Sequence, residues 1–236
     1  MSIRSKYSVI SVDPDSVKEW FIKKHYAKRM PSITYCFALL NENKVTVGAC
    51  SFGRPAAHQL VKHSFKGHYQ NDFLELNRIV VNDGLHKNTC SLFISKCLNM
   101  LPKPKVIVSY ADTSQGHIGY IYQCTNWIYT GLSEAHKDYA IKGYEHLHNM
   151  SIMDMVRADS KDSDICKTDL LKKKFGEDNI YKVDRPRKHR YFYFLGSKSE
   201  VKRMKKNLKY EVKPYPKGDT DRYDSSYKPS VQCILL

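Results

Sequence analysis

No stretch of this 236-residue chain approaches the roughly 18 consecutive apolar residues that a membrane-spanning helix needs, so no membrane partner is expected. The opening residues, MSIRSKYSVISVD, lack a long apolar core and a small-residue cleavage site. They do not read as a signal peptide, and the expected location is the cytoplasm of the host cell. The seven cysteines contain no CxxC pair and no metal-ligand spacing, which argues against a zinc site. Their odd number, with several inside apolar runs, points to reduced and mostly buried thiols. Internal repeats are absent as well. Acidic residues are scarce, with 24 Asp and Glu against 39 Lys and Arg, giving a net charge of +15.

Hydrophobic residues make up 42% of the chain, including 17 Tyr and 9 Phe, enough for a globular protein with a substantial core. The positive charge is uneven, because residues 182–236 hold 15 Lys and Arg against 6 Asp and Glu. A basic segment on a moderately basic body suits a polyanion, nucleic acid foremost. A solvated surface that aids solubility fits the charge equally well, and composition alone leaves both readings open.

The pattern along the chain is that of an α/β protein. Residues 13–27 read as a helix with Val17, Trp20, Phe21 and Tyr26 at helical spacing, capped by Asp13 or Asp15 and stopped by Pro31. A hairpin follows over 33–40 and 44–52. Residues 54–72 carry His58, His63 and His68 in a loop or short helix without metal-ligand spacing.

The stretch 73–131 organises the rest, in the order strand, turn, amphipathic helix, strand, polar loop, short helix, strand. In the strand FLELNRIVV, regular alternation places Glu75 and Asn77 on one face and Leu74, Leu76 and Arg78 on the other. Charge there signals either an internal contact or a polar cleft. A helix over about 90–101 offers its first turn, with Lys87, Asn88, Thr89 and Ser91 nearby, to a phosphate. The strand 106–110 ends in polar residues, Tyr110, Asp112 and His117, where α/β folds place their sites. An insertion at 132–181 reads as helices and loops. HRYFYFL returns as a strand, SEVKRMKKNL forms a basic helix, and 214–236 reads as a flexible tail.

The order of elements in 73–131 resembles the central half of the GCN5-related N-acetyltransferase fold. Within that superfamily, FGRP (52–55), ELNRIVV (75–81), SYADTSQGHIGYIYQCTNWIYTG (109–131) and KHRYFYFLG (188–196) resemble the phage Mom-type DNA-modification proteins. The resemblance spans much of residues 20–215. It implies a mixed central sheet flanked by helices, in one domain over 1–213: core 13–131, insertion 132–181, returning strand and basic helix 182–213. It also implies an acyl-derived group, of acetamido or methylcarbamoyl type, transferred to the exocyclic amine of adenine in DNA, which protects phage DNA from restriction. The implied donor is acetyl-CoA or a related acyl donor.

Carried onto this chain, the resemblance places Tyr122 at the family's catalytic tyrosine and favours a catalytic role for Asp112, and Glu75, read as part of a polar cleft face, is the third catalytic candidate. Tyr26, Tyr35, Tyr110 and His117 become substrate-binding candidates, and the charge of the basic segment, chiefly Arg185, Arg187, Lys188, Arg190 and Lys202–Lys209, is expected to grip DNA phosphates from the surface. Val81, Lys87, Asn88, Thr89 and Ser91 hold the donor. The usual pyrophosphate motif of the superfamily, Gln/Arg-x-x-Gly-x-Gly/Ala, is replaced by NDGLHKNTCS. Iron is associated with the family, but no facial His-x-Asp/Glu triad is present and no metal ligand is assigned. The oligomeric state is likewise unassigned. From the residues alone, Asp112 reads equally as a helix cap and Tyr122 as a core tyrosine. Two alternatives stand beside the DNA-modification reading: an acyl-CoA-dependent N-acetyltransferase with a protein or small-molecule acceptor, and a non-catalytic nucleic-acid binder on the same fold.

Overall fold

The structure, a computed structural model, describes residues 2–55, 58–65, 72–147, 149–158 and 166–219. His68, His148 and residues 220–236 of the expected tail lie outside them. The strands are β1 (Ser8–Ser11), β2 (Tyr35–Leu40), β3 (Thr46–Gly53), β4 (Phe73–Val81), β5 (Lys105–Asp112), β6 (Ile128–Leu132), β7 (Lys137–Ile141), β8 (Ile180–Asp184) and β9 (Lys188–Leu195). The α-helices are α1 (Ile3–Lys6), α2 (His58–Ser64), α3 (Thr89–Met100), α4 (Tyr120–Cys124), α5 (Asn149–Ala158), α6 (Lys167–Phe175) and α7 (Lys198–Asn207).

The chain forms two compact units, one of Met1–Ser133 with Lys188–Leu236 and one of Glu134–Arg187. The first holds a seven-stranded sheet in the order β1-β2-β3-β4-β5-β9-β6. Every neighbouring pair is antiparallel except β4 and β5, which run parallel. These two strands pair only through Phe73–Val106, Leu74–Ile107 and Glu75–Val108, and then part. A mixed sheet that splays after its fourth strand, with the last strand inserted between β5 and β6, has the expected acetyltransferase-type topology.

Packing follows from the two faces of this sheet. On one face α3 buries Phe93, Ile94, Cys97 and Leu98 against Leu74, Leu76 and Ile107, joined by Tyr122 and Trp127. Burying each large apolar side chain contributes about 1.5–3 kcal/mol. On the other face Phe65 and Met204 pack on Phe73, Val106, Val108 and Phe192. The basic helix α7 opens with the capping box formed by Ser197 and Glu200, and Met204 and Val201 turn inward while its lysines face water, as their sequence spacing predicts.

Two local readings are corrected. The expected helix over 13–27 is shorter and irregular: a 3-10 turn at Pro14–Val17 gives way to a π-helical turn at Trp20–Lys24. The His25 amide closes it by donating to the Trp20 carbonyl at 3.0 Å, and the chain leaves extended, so Tyr26 is not on a helix.

The second correction concerns β4. Ser51 pairs with Arg78 but Phe52 pairs with Leu76, so Asn77 is an extra, bulged residue. The bulge shifts the alternation by one. Leu74, Leu76, Ile79 and Val81 all face the α3 side, and Arg78 moves to the face of Glu75, not that of Leu74 and Leu76. Asn77 is held in the bulge by its bonds to the Ser32 carbonyl at 2.8 Å and the Ser51 hydroxyl at 2.6 Å.

The second unit has its own small core of Ile141, Ile152, Met153, Val156, Leu170 and Leu171. The expected helices are present, and β7 and β8 add an antiparallel two-stranded sheet where only helices and loops were expected. None of the described helices is long and apolar enough to cross a membrane.

Candidate active site

Where β4 and β5 part, a cavity of about 540 Å³ opens. Its wall draws on both faces of the sheet. Leu76, Ile79, Val81 and Ala111 come from the α3 side, and Arg78, Val80 and Tyr110 from the other. Side chains of both faces can line one cavity here because the parted strands have no ladder between them.

One mouth is built by the start of α3. Val81, Lys87, Asn88, Thr89 and Ser91, the residues expected to hold the donor, all line the cavity. Asn88 precedes the helix in the left-handed region (φ 68°), a conformation that asparagine tolerates better than most residues. The Thr89 hydroxyl donates to the His86 carbonyl at 2.6 Å and the Ser91 hydroxyl to the Asn88 carbonyl at 2.9 Å. Both hydroxyls are thus committed locally, and an anion at this helix start would meet backbone amides and Lys87.

The other mouth is lined by His25, Tyr26, Arg78, Tyr110 and His117. The His25 and Tyr26 rings stack at 4.3 Å, and His117 meets Tyr26 edge-on at 5.8 Å. Burial, with added repulsion from Asp112, pushes the Tyr26 phenol up to about 12, so it stays protonated at neutral pH. The Tyr110 phenol is raised further, by burial first and then by the Glu75 charge. Glu75 shares this face but does not line the cavity.

Tyr122 of α4 lines the cavity, 6% exposed, and burial raises its phenol strongly. Its hydroxyl lies 2.7 Å from that of Ser109, which donates to the Leu76 carbonyl at 2.8 Å. The helix carrying Tyr122 begins at Gly119 (φ 78°), where an added Cβ would stand 2.4 Å from the Tyr191 ring. Only glycine fits that turn, which accounts for the second glycine of GHIG.

Asp112 is nearby but does not line the cavity. Its Oδ1 accepts from the Ser114 amide at 3.1 Å and hydroxyl at 2.7 Å, and its Oδ2 meets Lys188 Nζ at 2.8 Å. Burial alone would raise its carboxyl, but the Lys188 and Ser114 contacts outweigh burial and hold it below the ordinary carboxylate range. Asp112 therefore caps the 3-10 turn Thr113–Gln115 and anchors Lys188.

Of the other expected site residues, Tyr35 starts β2 and packs against the main core, away from the cavity. Arg187 belongs to the second unit and is exposed. Arg190 was expected on the surface and is not there. It is 5% exposed, its Nε donates to the Thr130 hydroxyl at 2.9 Å, and its guanidinium lies 3.5 Å over the Tyr210 ring. It ties β9 to β6 and has no face for a phosphate. The charge expected at the same grip on Arg185 is paired with Asp138.

Sequence reasoning passed over His25, which sits beside a named tyrosine, and Ser109, which looks like an ordinary strand residue. It flagged the charge of Arg78 but placed that side chain on the wrong face. Among the described residues, no group of three or more His, Cys, Asp or Glu is placed to hold a metal ion. The six described cysteines are free, and Cys36, Cys50 and Cys97 are buried.

The chain has relatives among known proteins. The Mom protein family profile matches residues 6–217. A methylcarbamoylase named mom from Escherichia phage Mu is 24% identical over 198 residues, covering 82% of this chain and 77% of the relative. Among solved structures, a histone acetyltransferase-related acetyltransferase from Corynebacterium glutamicum is similar over 55% of this chain and 88% of its own, with 10% identity and a TM-score of 0.38. A phosphinothricin N-acetyltransferase-like protein is similar over 79% and 83%, with 12% identity and a TM-score of 0.36.

Proposed function

Because the chain belongs to the Mom protein family, we propose that it is a phage DNA-modification transferase that places an acyl-derived group on the exocyclic amine of adenine. The transferred group is of the acetamido or methylcarbamoyl type, and the modified DNA resists host restriction. The enzyme works in the host cytoplasm with DNA and an acyl donor, acetyl-CoA or a related molecule, as its two substrates. The name of the phage Mu relative, a methylcarbamoylase, supports a carbonyl-bearing group.

The observation that carries this reading is the cavity where β4 and β5 part, lined both by the start of α3 and by the aromatic cluster at Tyr26 and Tyr110. In this reading donor and acceptor approach it from these two sides and meet there, as a group transfer requires. The mouth at the start of α3, with its helix terminus and Lys87, suits the phosphates of a donor. The mouth at Tyr26, Tyr110 and His117 offers aromatic faces, which suit a base. An adenine inside a duplex must leave the stack to reach such a depth, and stacking on Tyr26 or His117 would compensate part of that cost. The Tyr122 phenol, protonated at neutral pH, faces the junction between the mouths and can give a proton to a leaving group.

Asp112 acts in this reading as a positioning group, since Lys188 and Ser114 already occupy its carboxylate. Lys188, 35% exposed at its side chain, can also extend toward a DNA phosphate. Exposed lysines of α7 supply further charge for the phosphates of a duplex.

The test is mass spectrometry of nucleosides from the DNA of cells expressing the protein. A modified deoxyadenosine carrying the mass of the transferred group is expected. An unmodified adenine pool alongside newly acylated protein would reject the DNA acceptor in favour of a protein N-acetyltransferase.

A further inference from the structure

His25 lies at the acceptor mouth and takes no part in the roles assigned so far. The π-helical turn ends on it, so its backbone is fixed by the bond to Trp20. Its ring is fixed by the stack on Tyr26. The Ala27 amide donates to Nδ1 at 3.1 Å. A backbone amide can only donate, so Nδ1 must hold a lone pair and no proton. In the neutral ring the proton then sits on Nε2, which becomes a donor and cannot accept. Among the described residues no hydrogen-bond partner meets Nε2, and the ring lines the cavity.

The surroundings keep the ring neutral. Burial lowers its basicity most, followed by Arg78 from β4, His117 from the loop after β5 and Lys188 from β9. Tyr26 beside it is a protonated phenol. The Asp112 carboxylate, which could have favoured an imidazolium, is bound by Lys188 and Ser114. A neutral ring in this setting is a fixed N–H dipole within a positively biased wall. Such a group suits an oxygen that gains negative charge.

We propose that His25 is a neutral hydrogen-bond donor in the transfer, its Nε2–H directed at the carbonyl oxygen of the group being moved. This rests on the reading of the protein as an adenine-modifying transferase. With an activated acyl donor, adenine N6 forms the new C–N bond and the carbonyl π pair moves onto oxygen, where the His25 N–H meets it. The C=O bond then reforms, the bond to the leaving group breaks with its electron pair, and one N6 proton ends on that group. His25 keeps its own proton throughout, so it is neither base nor acid.

The test compares wild type, His25→Ala and His25→Gln in cells, reading modified deoxyadenosine formed per unit of soluble protein in the first minutes after induction. Glutamine carries an amide N–H that reaches about as far as Nε2. Alanine is expected to lower the rate about 100-fold, as loss of an oxyanion donor does, and glutamine to stay within about 10-fold of wild type. Alanine within about 3-fold of wild type, or glutamine as slow as alanine, overturns the proposal. A second measurement does not use activity: ¹⁵N shifts of histidine-labelled protein should show His25 as the neutral Nε2–H tautomer from pH 5.5 to 8. An imidazolium or an Nδ1–H tautomer in that range overturns it too. If wild type makes no modified adenine, the functional reading falls and takes this proposal with it. A slow alanine variant beside an active wild type separates the two.

Discussion

The hydroxyls of Tyr122 and Ser109 stand 2.7 Å apart, and Ser109 lies 2.8 Å from the Leu76 carbonyl. A serine hydroxyl has one proton and a carbonyl can only accept. Ser109 can therefore donate to the Tyr122 hydroxyl or to the Leu76 carbonyl, one at a time, and its donation to Tyr122 leaves the phenol proton free for the cavity. The chain of bonds joins α4, β5 and β4 at the point where the two strands part.

Tyr122→Phe and Ser109→Ala are each expected to destabilise the fold by about 1–3 kcal/mol, because each strands a buried partner. The double variant should cost about 1 kcal/mol less than the sum. Urea denaturation of the four proteins checks this, and strictly additive costs would deny the bond.

The Asp112–Lys188 pair gives a pH signature. Asp112 has a depressed carboxyl in the folded state, so its contribution is present above the ordinary carboxyl value of about 3.9 and is lost as pH falls through the lower folded value. The stability advantage of wild type over Asp112→Asn should therefore hold at neutral pH and shrink below about pH 4. Lys188→Met should cost about 1–3 kcal/mol in the wild-type background and little beside Asp112→Asn, since it leaves a mostly buried carboxylate unpaired. Thermal melts across pH 3–7 report both.

Gly119→Ala places a Cβ 2.4 Å from the Tyr191 ring at a φ of 78°. Clash and backbone strain together should cost about 2–4 kcal/mol, a melting-temperature drop of roughly 5–15 °C for a chain of this length. Calorimetry measures it. Since α4 begins there, modified adenine should also fall, as Tyr122 loses its place.

Arg190 and the lysines of α7 should separate cleanly. Arg190→Ala is expected to lower stability by about 2–4 kcal/mol, because its bonds to Thr130 and its stacking on Tyr210 disappear. It should leave the salt dependence of DNA binding unchanged. Replacing Lys202, Lys205 and Lys206 by alanine should leave the melt near wild type. It should also flatten the slope of log K against log salt by about 1 for each phosphate that is no longer neutralised. Anisotropy titrations of a labelled duplex at about 50–200 mM salt read the slope, and an unchanged slope in the triple variant would remove α7 from the DNA surface.

The sequence by itself determined the strands and helices that build the sheet, because apolar spacing records which side of an element is buried. Phe73–Val81, the helix ending near Pro102, the strand at Lys105–Asp112 and the inward Val201 and Met204 of α7 are all legible in that way. It also determined the family, through the long string from Ser109 to Gly131. Tertiary structure alone decided which polar groups meet. Asn77 bulges because its side chain finds Ser32 and Ser51 across the fold, and that one extra residue turns Arg78 toward the part of the cavity lined by Tyr26 and Tyr110. Arg190 is buried because Thr130 and Tyr210 come to it from distant parts of the chain. The His25 ring is held neutral by burial first and then by Arg78, His117 and Lys188, groups that three other segments bring to it. Burial of an apolar residue is written in local periodicity, whereas the state of a polar one depends on partners that folding brings from afar.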